Sequence, residues 1–68
     1  MRKVDTPTRR VLRVNAAAQY VSTSARCIRD LVQRGELPLV RLSEHERAPW
    51  LIDVRDLDNL VERRKTTL

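Results

Sequence analysis

Apolar residues along this chain fall into three short helical registers and two extended runs. Ala17, Tyr20 and Val21 stand at i, i+3 and i+4, which predicts one face of a short helix. Asn15, just before them, is the expected N-cap. Ser22-Thr23-Ser24 interrupts the register. Ser24 is the expected cap of a second helix over 25–34, in which Ile28, Leu31 and Val32 repeat the same spacing. Gly35, the only glycine, follows directly, where a left-handed C-terminal cap suits glycine best. Two helices joined by about three residues form a helix-turn-helix pattern.

Leu37-Pro38-Leu39-Val40-Arg41-Leu42 alternates and predicts a strand, with Pro38 at its start or on an edge. The polar stretch 43–49 predicts a loop, and Trp50-Leu51-Ile52 a second strand. Together they predict a two-stranded hairpin, a wing. Asp53 is the expected cap of a last helix, with Asp56 at the capping-box position. Leu57, Leu60 and Val61 form that helix's apolar face, and Arg63-Arg64-Lys65 favour its C-terminal dipole. Residues 1–11 lack periodicity and read as a mobile basic arm; 12–64 read as the folded domain and 65–68 as a tail. The expected fold class is α+β: a small winged helix-turn-helix with two helices, a two-stranded wing and a closing C-terminal helix.

Composition narrows the function. The 68 residues carry 14 Lys+Arg against 9 Asp+Glu, a formal charge of +5. Twelve of the cations are Arg, the side chain suited to two-pronged contact with phosphate or guanine. The excess is local: residues 1–13 carry net +4 and 14–35 net +2, whereas 36–53 carry net −2. One basic side favours a docked polyanion. Aromatic residues are confined to Tyr20 and Trp50, both expected in the core. Cys27 is alone, so neither an internal disulfide nor a thiolate metal cage is expected; it should pack beside Leu31. His45 has no convincing ligand set around it, so no metal site is expected. With no catalytic triad, phosphate loop or carboxylate pair in view, neither enzyme activity nor a cofactor is expected. No run is long and apolar enough for a membrane span and no secretory signal opens the chain, so a cytoplasmic, nucleoid-associated protein is expected.

Ala17-Ala18-Gln19-Tyr20, Ser24, Ile28, Leu31-Val32 and Arg34-Gly35-Glu36-Leu37-Pro38, followed by Trp50-Leu51-Ile52, Asp56-Leu57 and Leu60, together resemble the excisionase-type winged helix-turn-helix, within the MerR-like DNA-binding group. The resemblance covers about residues 12–64. Three departures stand out. Ser22-Thr23 occupies the turn where the family has Gly-Val; Ala25-Arg26 follows the second cap where two basic residues are frequent; and the wing tip holds Glu44 and Glu46 where the family's loop is short and basic.

The resemblance implies that the second helix enters the major groove of double-stranded DNA. Ser24, Ala25, Arg26, Arg29, Asp30 and Gln33 are then its recognition residues. Arg26 and Arg29 would grip guanine or hold phosphates. Thr23 and Ser24 would donate to a phosphate beside the helix N-terminus. Arg9, Arg10 and Arg13 would follow the backbone. His45 and Arg47 are the wing-tip contacts, unless Glu44 or Glu46 neutralises Arg47 in a solvated loop.

The resemblance further implies an architectural role: binding tandem sites near a phage or mobile-element attachment site, bending the DNA and directing a tyrosine integrase toward excision. Head-to-tail self-association is expected, the acidic wing at Glu44 and Glu46 meeting the basic first-helix region of the next copy. The alternatives are a small MerR-like transcriptional regulator or repressor and, from another class, a protein-interaction module acting through the wing. With the closing helix expected to end a few residues before Leu68, no dimerisation helix of a regulator is expected, which makes the first role the expected one.

Overall fold

The computed structural model describes residues 10–68. Within them run β1 (Val11–Arg13), α1 (Val14–Tyr20), α2 (Ala25–Gln33), β2 (Leu51–Asp53) and α3 (Val54–Arg64). β1 and β2 pair antiparallel, with Leu12 opposite Ile52. Both side chains of that pair are buried, so the sheet's inner face is one aliphatic couple on which the helices close. α1 contributes Val14, Ala17 and Ala18, α2 contributes Ile28 and Leu31, and α3 contributes Leu57 and Leu60. Leu37 completes the core from the segment after α2. The architecture is the small α+β winged helix-turn-helix expected from the sequence.

The two helices of the helix-turn-helix end in the same way. After α1, the N–H of Thr23 donates to the Ala18 carbonyl at 2.8 Å and that of Ser22 to Gln19 at 3.2 Å. After α2, the N–H of Glu36 donates to Leu31 at 2.9 Å and that of Gly35 to Val32 at 3.0 Å. Each is a Schellman cap, which needs one left-handed residue. Gly35 takes φ +79 in the second cap, and Ser22 takes φ 60 in the first. A left-handed residue with a Cβ costs roughly 1 kcal/mol, so the Ser22 turn holds strain that a glycine there would avoid. Ser22→Gly should therefore raise stability by about 0.5–1 kcal/mol, read from urea or thermal unfolding. Gly35→Ala should lower it by about 1 kcal/mol. A Cβ at Gly35 would meet nothing within 4 Å, so that loss is purely backbone strain.

The structure corrects several expectations. Asn15 is not the cap of α1: Arg13 stands at the N-cap, makes no side-chain cap bond, and the helix begins at Val14. Pairing of β1 with β2 holds Arg13 extended, and burial of Val14 carries the helix two residues further toward the N-terminus than the capping signal suggests. Tyr20 is 41% exposed and not in the core. Its hydroxyl donates to the Asp58 carboxylate at 2.8 Å, fastening the end of α1 to α3 and raising the phenol's pKa. Trp50 and Cys27 are half-buried against the core.

The wing differs most. The two strands of the sheet are β1 and β2, and of the expected strand 37–42 only Val40 pairs, in a single bridge to Leu51. Leu37 is occupied elsewhere, its N–H donating to Leu31 and its side chain in the core, and Pro38 has no N–H to give. The wing is thus a loop over 41–50, closed at its base by the Val40–Leu51 bridge. Arg10 and Val11, assigned to the arm by sequence, belong to the folded part. Val11 pairs with Asp53, and the Arg10 carbonyl accepts from the N–H of Val54 at 2.8 Å. Arg9 and the rest of the arm lie outside the described residues.

Candidate nucleic-acid interface

Ser24 is the N-cap of α2, and its hydroxyl accepts from the N–H of Cys27 at 3.1 Å. That bond sets where the helix begins, and so which residues face away from the core. Successive residues turn about 100°. Ile28 and Leu31 point inward; Arg26, Arg29, Asp30 and Gln33 are exposed on the other side. Ala25, expected outward with them, is half-buried and packs against the core. Thr23 is exposed beside the cap. Among the described residues, no ion-pair partner is present for Arg26 or Arg29. A guanidinium held on a helix face without a carboxylate keeps its donors for a ligand.

Arg13, at the end of β1, and Arg29, on α2, line one open hollow of about 330 Å³. Val14, Asn15, Pro49 and Trp50 complete the lining. The hollow therefore lies between the outward face of α2 and the base of the wing loop. Asn15, Pro49 and Trp50 were not singled out as site residues from the sequence. Their place depends on β1 lying beside β2, a contact between residues about 40 positions apart that leaves no local signal.

Arg10 has a structural duty. Its Nε donates to the Asp53 carboxylate at 3.1 Å. Asp53 is the N-cap of α3 and also accepts from the N–H of Arg55 at 2.9 Å. The Arg55 N–H and then the Arg10 guanidinium hold the Asp53 carboxyl below its usual pKa. A carboxyl whose pKa is lowered by folding stabilises the fold above the unfolded value, about 4, and loses that contribution as pH falls through the lowered folded value. Melting temperature followed by circular dichroism should thus fall below about pH 4. Asp53→Asn keeps a cap acceptor without the charge, and should make that acid decline shallower. An unchanged decline would place the acid sensitivity on other carboxylates.

After α2, Glu36 gathers arginines. Its carboxylate pairs with Arg34 at 3.6 Å and makes a close contact with Arg64, while its carbonyl accepts from Arg63 at 3.4 Å. These contacts tie the exit of α2 to the last turn of α3.

The wing loop is bonded to itself. The His45 carbonyl accepts from Arg41 Nη2 at 2.9 Å and from the N–H of Ala48 at 2.9 Å. The His45 ring Nδ1 accepts from the N–H of Arg47 at 3.1 Å, and Ser43 Oγ accepts from the N–H of His45 at 3.0 Å. The Arg47 guanidinium is exposed, and neither Glu44 nor Glu46 pairs with it among the described residues. Leu42 stands 79% exposed at the start of this loop. Among the described residues, no group of His, Cys, Asp and Glu is placed to hold a metal, and no helix is long and apolar enough to cross a membrane.

Comparison with known families gives one finding. The profile of the helix-turn-helix domain family matches residues 11–65. No curated protein and no solved structure gives a significant match.

Proposed function

This chain belongs to the helix-turn-helix domain family, a DNA-binding family that includes excisionase-like proteins, and we propose that it is an architectural DNA-binding factor of the excisionase type. In this reading α2 lies in the major groove and presents Arg26, Asp30 and Gln33 to base edges. Ser24 and Thr23 stand beside a phosphate at the start of α2. The wing loop follows the adjacent minor groove with His45 and Arg47. Arg9, Arg10 and Arg13 lie along the backbone. The observation that carries the reading is the charged outer face of α2, set opposite Ile28 and Leu31 and left without carboxylate partners among the described residues.

The factor binds tandem sites beside an attachment site, bends the duplex, and biases a tyrosine integrase toward excision. One small module makes few contacts, and neighbours on the same duplex add affinity through effective concentration. Charge supports a head-to-tail arrangement: Glu44 and Glu46 have no ion-pair partner among the described residues, and the segment 1–13 is net positive. Glu44 and Glu46, exposed in the wing loop, would face the Arg13 side of the next copy.

The test is a gel-shift titration on a duplex carrying two or more tandem copies of a site selected by the protein from a random library. A circular-permutation bend assay and an excision reaction with the integrase of the same element accompany it. Cooperative binding, a bend and stimulated excision are expected. Glu44→Lys with Glu46→Lys should abolish the cooperativity and leave single-site affinity intact or raised. Independent, unbent binding would favour the regulator reading. A protein that binds no DNA but captures a partner through the wing would sink both.

A further inference from the structure

The hollow between α2 and the wing base has a composition that the recognition helix alone does not explain. Two of its lining residues are arginines, Arg13 and Arg29, and Asn15 adds an amide donor. Among the described residues, no carboxylate lines it. Its remaining walls, Val14, Pro49 and Trp50, offer no side-chain acceptor. The hollow is therefore a positively charged, donor-rich concavity with no group of opposite sign among the described residues that line it.

Its placement says what the charge faces. A helix seated in the major groove and a loop reaching the neighbouring minor groove must straddle the sugar–phosphate strand that separates the two grooves. The concave surface between them meets phosphates and not base edges. Arg29 lies about 60° around α2 from Arg26, on the side toward Ala25 and Val32. Arg26 and Gln33 point most directly away from Ile28 and Leu31. The two exposed arginines of α2 thus have different surroundings. Arg13 is well held: its backbone pairs with Leu51, and the next residue, Val14, is buried. A guanidinium on a fixed backbone loses less freedom when it closes on a ligand.

We propose that this hollow seats one phosphate of the DNA backbone between Arg13 and Arg29, so that Arg29 fixes the position of the duplex and Arg26 reads its sequence. The assignment rests on the DNA-binding reading and divides labour within it. Asn15 adds a third donor to the same phosphate. Trp50 closes the seat from the wing side and, as the chain's one tryptophan, reports its occupancy.

The experiment uses the full chain, a duplex it selects from a random library, and a scrambled duplex of equal length, titrated across a range of salt concentrations. Arg29→Ala and Arg13→Ala should each weaken binding by the same factor on both duplexes. The double variant should lower the slope of log K against log salt by about 0.9, one phosphate's worth, and not by about 1.8. Trp50 emission should change on adding either duplex, and the change should vanish in the double variant. Circular dichroism melting verifies that both exposed replacements leave the fold intact. Loss of discrimination in Arg29→Ala would make Arg29 a base reader and overturn the clamp. A slope change of about 1.8 would assign two separate phosphates and overturn the shared seat. An unchanged slope in the double variant, with the wild type still steep in salt, would overturn the clamp while leaving DNA binding in place. A wild type whose binding ignores salt would remove the DNA reading itself.

Discussion

Leu57→Ala is expected to leave much of the population unfolded at room temperature. Leu57 is fully buried where α3 meets the core, together with Ile28, Leu37 and Ile52. Truncating such a leucine costs about 2–5 kcal/mol, from the lost transfer energy and the cavity left behind. A domain of this size has only about 3–10 kcal/mol in all, at roughly 0.05–0.15 kcal/mol per residue. One side chain can therefore consume most of the margin. Small domains are exposed to this because they bury a smaller fraction of their surface than large ones do. Val61→Ala is the control. It lies one position from Leu60 on the same helix but is 43% exposed, and should cost well under half as much. Urea unfolding followed by helical circular dichroism measures both. Adding Ser22→Gly to Leu57→Ala should recover its own increment, since the turn and the α3 core site share no strained contact and their effects should add. Equal losses for Leu57 and Val61 would contradict the placement of α3.

Arg26→Ala should have the largest effect on DNA recognition. Arg26 is exposed and has no ion-pair partner among the described residues, so removing it leaves the fold unchanged. An arginine gripping guanine contributes roughly 1–3 kcal/mol to discrimination, equivalent to about 5–150-fold in affinity. That loss should appear on a selected duplex and be much smaller on a scrambled one, measured by fluorescence anisotropy at one fixed salt concentration. The selected site should tolerate more bases at one position when selection is repeated with the variant. An equal loss on both duplexes would make Arg26 a phosphate contact and move sequence reading to Asp30 and Gln33.

The helix-turn-helix itself was legible because its signals are local. Ser24 announced the start of α2 through a cap that needs only the next three residues. Gly35 announced its end through a left-handed φ that other residues adopt at a cost. Ile28 and Leu31 gave the buried stripe, and Asp53 the start of α3. Each is a contact between residues within about one helical turn. The outward set on α2 followed from the same periodicity, except Ala25. Its small side chain is compatible with either side, and packing placed it against the core.

The strand pairing was not legible. β1 is three residues long and buries only Leu12 fully, too little for an alternating pattern. Its partner lies some 40 residues away, and nothing within β1 points to it. That pairing moved the start of α1 back to Val14, took Arg10 out of the arm to hold Asp53, and reduced the expected wing hairpin to the Val40–Leu51 bridge.

Sequence alone determined the existence of the first helix, the capped second helix, the turn between them, the closing helix and the concentration of positive charge toward the N-terminal half. All of these depend on periodicity, backbone preference and counting. Tertiary structure decided where those charges converge. The closure of β1 on β2 brings Arg13 beside Trp50, and the packing of α1 on α2 brings it near Arg29, because a hollow is made by surfaces from distant parts of the chain. The net charge of +5 says that a polyanion is welcome; the fold says which arginines meet it together.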